Sequence, residues 1–200
     1  MNLSMDLNKD KESFMDYLKY QKHYSENTIE NYERTLNEFI GFLNKESIDA
    51  FSKVKYPLMR GYLTYLNEKG VSKNTINNRI SCLRSLYKYL VKEELVENNP
   101  MTLIENVKIS KRNPDFLFPE EMIELLDTSD DLGVRNKAML ELMYASGLRC
   151  SEVVNLTLNV IDFDNRILLI HGKGNKDRYV PFHEYASKWL IKYLEEGRGN

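Results

Sequence analysis

The feature that most constrains the fold is an internal echo. Ser25-Glu26-Asn27-Thr28-Ile29 returns as Ser72-Lys73-Asn74-Thr75-Ile76, and the same offset pairs Asn31 with Asn78, Leu36 with Leu83, Phe39 with Leu86 and Leu43 with Leu90. A serine just ahead of an apolar run with three- and four-residue steps is a helix N-cap, because its hydroxyl can accept a backbone N–H that has no partner inside the helix. Each copy therefore reads as a capped helix, and each follows another helix. Phe14, Tyr17 and Leu18 mark the first of these, while Pro57 suits the first turn of the third and Gly70 its end. A coincidence of caps and apolar period would give the same coarse structure: two helical hairpins, hence a four-helix domain over residues 1–94.

The pattern then breaks. Asn98-Asn99-Pro100 stops a helix and Lys111-Arg112-Asn113-Pro114 is polar and extended, so residues 95–114 read as an interdomain linker. A second domain, 115–200, opens with helices at Pro119 and near Val134–Tyr144. A short helix from Ser151 follows. The apolar period changes at Ile167-Leu168-Leu169-Ile170 and Tyr179-Val180-Pro181-Phe182, two short runs flanking a glycine-rich turn, which predicts a β-hairpin. A last helix is expected near Glu184–Glu195. The fold class is therefore mainly α with a small β-hairpin or sheet.

Charge is less directive. The net charge of −2 lacks the basic excess usual for nucleic-acid binders. Residues 69–92, however, hold Lys69, Lys73, Arg79, Arg84, Lys88 and Lys92 and no acid. This stretch is either a solvated cationic face or a phosphate-binding one. Cys82 and Cys150 have no metal-like spacing and read as reduced, packed thiols. No apolar run approaches the ~18 residues of a membrane span. With Asp6, Asp10 and Glu12 near the start in place of a signal-peptide core, a cytoplasmic location is expected.

Two places carry possible chemistry. Arg149 follows a glycine between two helices, with Glu152 three positions on. Alone, it reads as an ordinary helix-end arginine in a surface pair. Lys173 lies in Gly172-Lys173-Gly174-Asn175-Lys176 and alone reads as a solvated hairpin tip. That loop lacks the spacing of a nucleotide-binding P-loop and leads into a strand, which excludes that site.

Taken in order, Ala138-Met139-Leu140, Tyr144-Ala145-Ser146-Gly147-Leu148-Arg149, Ser151-Glu152, Leu156-Thr157 and Gly172 through Pro181 resemble the tyrosine recombinase (phage integrase) family, and most closely its Xer branch. Ser25-Glu26-Asn27-Thr28 resembles the start of that branch's core-binding domain. The resemblance implies a SAM-like N-terminal domain followed by part of an α+β catalytic domain. It implies strand cleavage and rejoining through a 3′-phosphotyrosyl link that conserves bond energy, with no metal, nucleotide cofactor or small-molecule substrate. Arg149 then corresponds to a transition-state phosphate clamp, Lys173 to the general acid for the leaving 5′-oxygen, and Glu152 to a supporting acid. Double-stranded DNA is the implied partner. Its expected contacts are Lys73, Asn74, Arg79, Arg84, Lys88, Lys176 and Arg178, with Asn74, Asn77 and Asn78 suited to phosphates or base edges alike. Family members act as homo- or hetero-tetramers on DNA.

The family's His-x-x-Arg box does not occur in these 200 residues, and Tyr179, Tyr185 and Tyr193 match no nucleophile position. The expectation is a DNA-binding fragment that does not cleave by itself. The alternative is a non-catalytic DNA-binding module that modulates an intact recombinase. A helical interaction protein without a DNA role is a third reading. The motifs leave open whether the parent function is chromosome-dimer resolution at cell division or phage or transposon integration, although the near-Xer pattern favours the chromosomal role.

Overall fold

A computed structural model describes residues 5–110, 115–128, 133–172 and 176–198. The chain divides into two compact units, Met1–Arg112 and Asn113–Asn200. It is mainly helical with one small antiparallel sheet.

The first unit consists of α1 (Met5–Asp16, continued by a wider turn to Gln21), α2 (Glu26–Lys45), α3 (Tyr56–Glu68) and α4 (Lys73–Lys92). The sequence echo is structural. Ser25 and Ser72 take nearly the same backbone conformation ahead of α2 and α4, φ −63°, ψ 149° and φ −60°, ψ 147°. The paired positions Leu36 and Leu83, Phe39 and Leu86, and Leu43 and Leu90 are all fully buried in one core. The caps differ in detail. Ser72 Oγ accepts the Thr75 N–H at 3.2 Å, whereas Ser25 Oγ meets only the Thr28 hydroxyl, at 2.9 Å.

Aromatic rings fill the spaces that smaller side chains leave. Phe39 and Phe42 pack against Tyr62 with centroids 4.9 and 5.0 Å apart, and Tyr17 lies 4.8 Å from Tyr89. Burial raises the Cys82 thiol to about 12, so it behaves as a small core residue.

The segment read as a linker contributes to this unit through residue 107. Val96, Met101 and Ile104 are buried in its core, and Val107 packs against it. Asn77 fastens the segment at both polar backbone groups of Val107: its side chain donates to the carbonyl at 3.0 Å and accepts the N–H at 2.8 Å. Apolar residues three to five apart gave this stretch a buried side that Pro100 and its asparagines obscured in the sequence.

The second unit holds α5 (Pro119–Thr128), α6 (Val134–Ser146), α7 (Cys150–Val154) and α8 (Glu184–Lys192, followed by a wider turn to Gly197). Its sheet has the order β1 (Ile161–Asp162), β2 (Ile167–Gly172), β3 (Lys176–Pro181), all antiparallel. The expected hairpin forms, and of its first apolar run Leu168 and Ile170 are the buried positions. The two-residue β1 had no periodic signal. Leu142, Leu148, Val153, Leu168, Ile170, Phe182 and Ala186 form the core. Beside it lies a buried ion pair, Lys137 Nζ to Glu141 Oε1 at 3.2 Å, with Lys137 also donating to the Leu126 carbonyl of α5. Cys150, expected in a packed position, is exposed, because α7 turns only Val153 inward. Among the described residues no helix is long and apolar enough to cross a membrane.

Candidate active site

Gly147 places Arg149. It ends α6 with φ +62°, a left-handed conformation that side-chain-bearing residues rarely adopt, and its N–H closes on the Met143 carbonyl at 2.8 Å. The chain reverses, Leu148 plugs the core, and Arg149 becomes the N-cap of α7. The Arg149 side chain is 74% exposed. Glu152, one turn into α7, is only 10% exposed and binds back: Oε2 accepts the Arg149 backbone N–H at 2.9 Å and Oε1 accepts Arg149 Nη1 at 3.0 Å. An acid in the first turn of a helix also lies at the favourable end of the helix dipole.

The third member is Arg178, expected from the sequence as a DNA contact and found instead holding a carboxylate. Arg178, on β3, donates two parallel hydrogen bonds to the same carboxylate, Nη1 to Oε1 at 3.0 Å and Nη2 to Oε2 at 2.9 Å. This bidentate pairing, followed by the Arg149 backbone N–H, lowers the Glu152 carboxyl to about 2. Gly172 keeps the hairpin close at this point: a Cβ there would stand 3.0 Å from the Lys176 carbonyl, and at an ordinary contact distance of 3.5 Å from Arg178 Nη1. Asp177, next to Arg178, faces His171 across the hairpin, with Oδ1 2.6 Å from Nδ1. Lys176 is exposed, and Lys173 lies outside the described residues.

In the first unit, α4 keeps some of its cations and commits others. Arg79 Nη2 pairs with Glu38 of α2 at 2.6 Å. Arg84 donates to the Asn106 side chain at 2.8 Å and to the Ile104 carbonyl, so it braces the segment after the helix. Lys92 turns to Glu93 and the Tyr17 ring. Lys73, Asn74 and Lys88 are exposed, and among the described residues neither lysine meets a carboxylate. Arg79 lines a polar cleft of about 400 Å³ with Thr28, Asn31, Thr35, Thr75 and Asn78, which includes equivalent positions of the two repeats. Glu38 and Asn106 had no sequence signal, since each acts across a tertiary contact.

Comparison with known proteins adds a second line of evidence. The model of the phage integrase N-terminal SAM-like domain matches residues 12–94, and that of the phage integrase family matches residues 115–200. The chain belongs to the phage integrase family. This phage integrase-family chain is 47% identical over 188 residues to tyrosine recombinase XerC of Bacillus pumilus and 44% identical to that of Bacillus subtilis, in each case over 92% of the chain and 62% of the relative. It thus spans less than two thirds of the length of these curated relatives. Its fold resembles that of the Tn1549 transposon integrase, solved in complex with circular intermediate DNA: TM-score 0.71 at 18% identity, covering 98% of this chain and 66% of that one.

Proposed function

We propose that this chain contributes to site-specific DNA recombination of the Xer type, supplying the DNA-binding domain and the first part of a phosphoryl-transfer site. The observation that carries this reading is Arg149, an exposed guanidinium held by Glu152 at the start of α7, in a chain with close XerC relatives. A phosphodiester under attack gains negative charge on its non-bridging oxygens. A planar guanidinium fixed at its backbone stabilises that charge without first having to reorganise. In the proposed reaction a tyrosine oxygen bonds to phosphorus as the 5′-oxygen leaves and takes a proton, for which Lys173 is the proposed donor. The reverse displacement by another strand's 5′-hydroxyl rejoins the DNA.

Double-stranded DNA is the proposed partner. Lys73, Lys88 and Lys176 are the proposed phosphate contacts and Asn74 a contact in the groove, with assembly into a tetramer and a cytoplasmic location as part of the same reading. Arg79 and Arg84 enter it as supports of the α4 surface, given the groups they already hold.

The test is a gel-shift titration with duplex DNA at two salt concentrations, alongside a nicked suicide substrate. The expected result is a shift that weakens steeply with salt, as phosphate contacts release counterions, and no covalent adduct from these 200 residues. Absence of any shift overturns the DNA reading; an adduct means that one of the chain's own tyrosines is a nucleophile.

A further inference from the structure

We infer that Arg178 is a positioning residue that balances the charge of Glu152, so that Arg149 presents a full positive charge to a DNA phosphate. The inference rests on the proposed role of Arg149. Glu152 anchors Arg149 by its backbone and its guanidinium, and the same contact would cancel the charge that a phosphate clamp needs. Arg178 removes the conflict. It takes both oxygens of Glu152 in a forked pair at 3.0 and 2.9 Å, whereas the Arg149 side chain holds a single bond, at 3.0 Å to Oε1. The three groups together carry one net positive charge, and the more exposed cation is Arg149, 74% against 39% for Arg178.

The local geometry supports this assignment. The one acid of β3, Asp177, is turned to His171, so it does not compete for Arg178. The fork also ties the strand after the hairpin loop to the helix that presents Arg149. An arginine whose role was simple phosphate binding would leave Glu152 to neutralise the clamp.

The test is the effect of Arg149→Ala on duplex-DNA affinity in four backgrounds of the full chain: unaltered, Arg178→Met, Arg178→Met/Glu152→Gln and Arg178→Lys. In the unaltered chain, Arg149→Ala should weaken binding by about threefold to tenfold and reduce the salt slope by about 0.9, the value of one phosphate contact. With Arg178→Met the effect should shrink to less than about twofold, because Glu152 now neutralises Arg149, and adding Glu152→Gln should restore it, a coupling that independent contacts do not show. Arg178→Lys keeps the charge and should keep the effect, with thermal unfolding of each background confirming that it folds.

Persistence of the Arg149 effect in folded Arg178→Met, or no restoration by Glu152→Gln, overturns the inference. So does loss of the effect in folded Arg178→Lys. No effect of Arg149→Ala in the unaltered chain removes the clamp itself. A chain that binds no DNA fails at the earlier step, which separates failure of the functional reading from failure of the charge balance.

Discussion

In the first unit, Leu36, Phe39 and Leu43 and their counterparts Leu83, Leu86 and Leu90 are fully buried. In the second, Tyr144, Val154, Leu158 and Tyr179 stay exposed, and the candidate site is made of charge. The first unit closes an aromatic core between two repeated helices. The second leaves an apolar groove of about 540 Å³ beside α6, α7 and α8, lined by Met139, Leu142, Val153, Leu158 and Leu190 among others. The contrast separates two kinds of constraint. Packing fixes the shape of the first unit and hence the surface of α4. Hydrogen bonds to one carboxylate fix Arg149, whose own side chain stays exposed.

Substitutions can break that contrast. Phe39→Ala should have the largest effect, since it opens a cavity among Phe51, Tyr62 and their neighbours: about 3–5 kcal/mol less stability for the first unit, read by denaturant unfolding. A loss below 1 kcal/mol would mean that the core is not tightly packed. Gly147→Ala is next, at about 1–2 kcal/mol from the left-handed backbone, seen as a lower melting temperature of the second unit. Smaller still, Ser72→Ala should cost about 1 kcal/mol through its lost cap bond, and Ser25→Ala a few tenths, because no backbone N–H depends on that hydroxyl. Equal losses would show that the two copies are capped alike.

The response to pH sharpens the same contrast. The Glu152 carboxyl is held down to about 2, below the ordinary carboxylate range, so its ionised form favours the folded state. That contribution is fully present above pH of about 4.5 and is lost as pH falls through the folded value. Carbon NMR of the Glu152 carboxyl should therefore show no titration between pH 8 and pH 5 and a change only as pH approaches 2. A midpoint near the ordinary value would mean that the Arg178 fork does not form in solution.

Much of this was legible in the residues, and the rest failed for physical reasons. Helical period and serine caps place α2 and α4, because each signal is local and repeated. The family motifs place Arg149 and Glu152 within one turn of each other, since a spacing of three is a contact on any helix. The partners of Arg79, Arg84 and Arg178 were illegible: each bond joins segments far apart in sequence, and a cation's identity does not say whether it faces a phosphate or a carboxylate. Residues 96–107 were hidden for a related reason, their apolar side chains being sparse and without a period.

In the proposed reading both units present cations to one duplex. Hydrogen–deuterium exchange of the full chain, with and without a duplex at low salt, tests it most directly. Added protection is expected at the start of α4 around Lys73 and Asn74 and in the segment from Arg149 to Glu152, both fading as salt rises. Protection confined to the acidic first turn of α5, or none at either cationic segment, would contradict it.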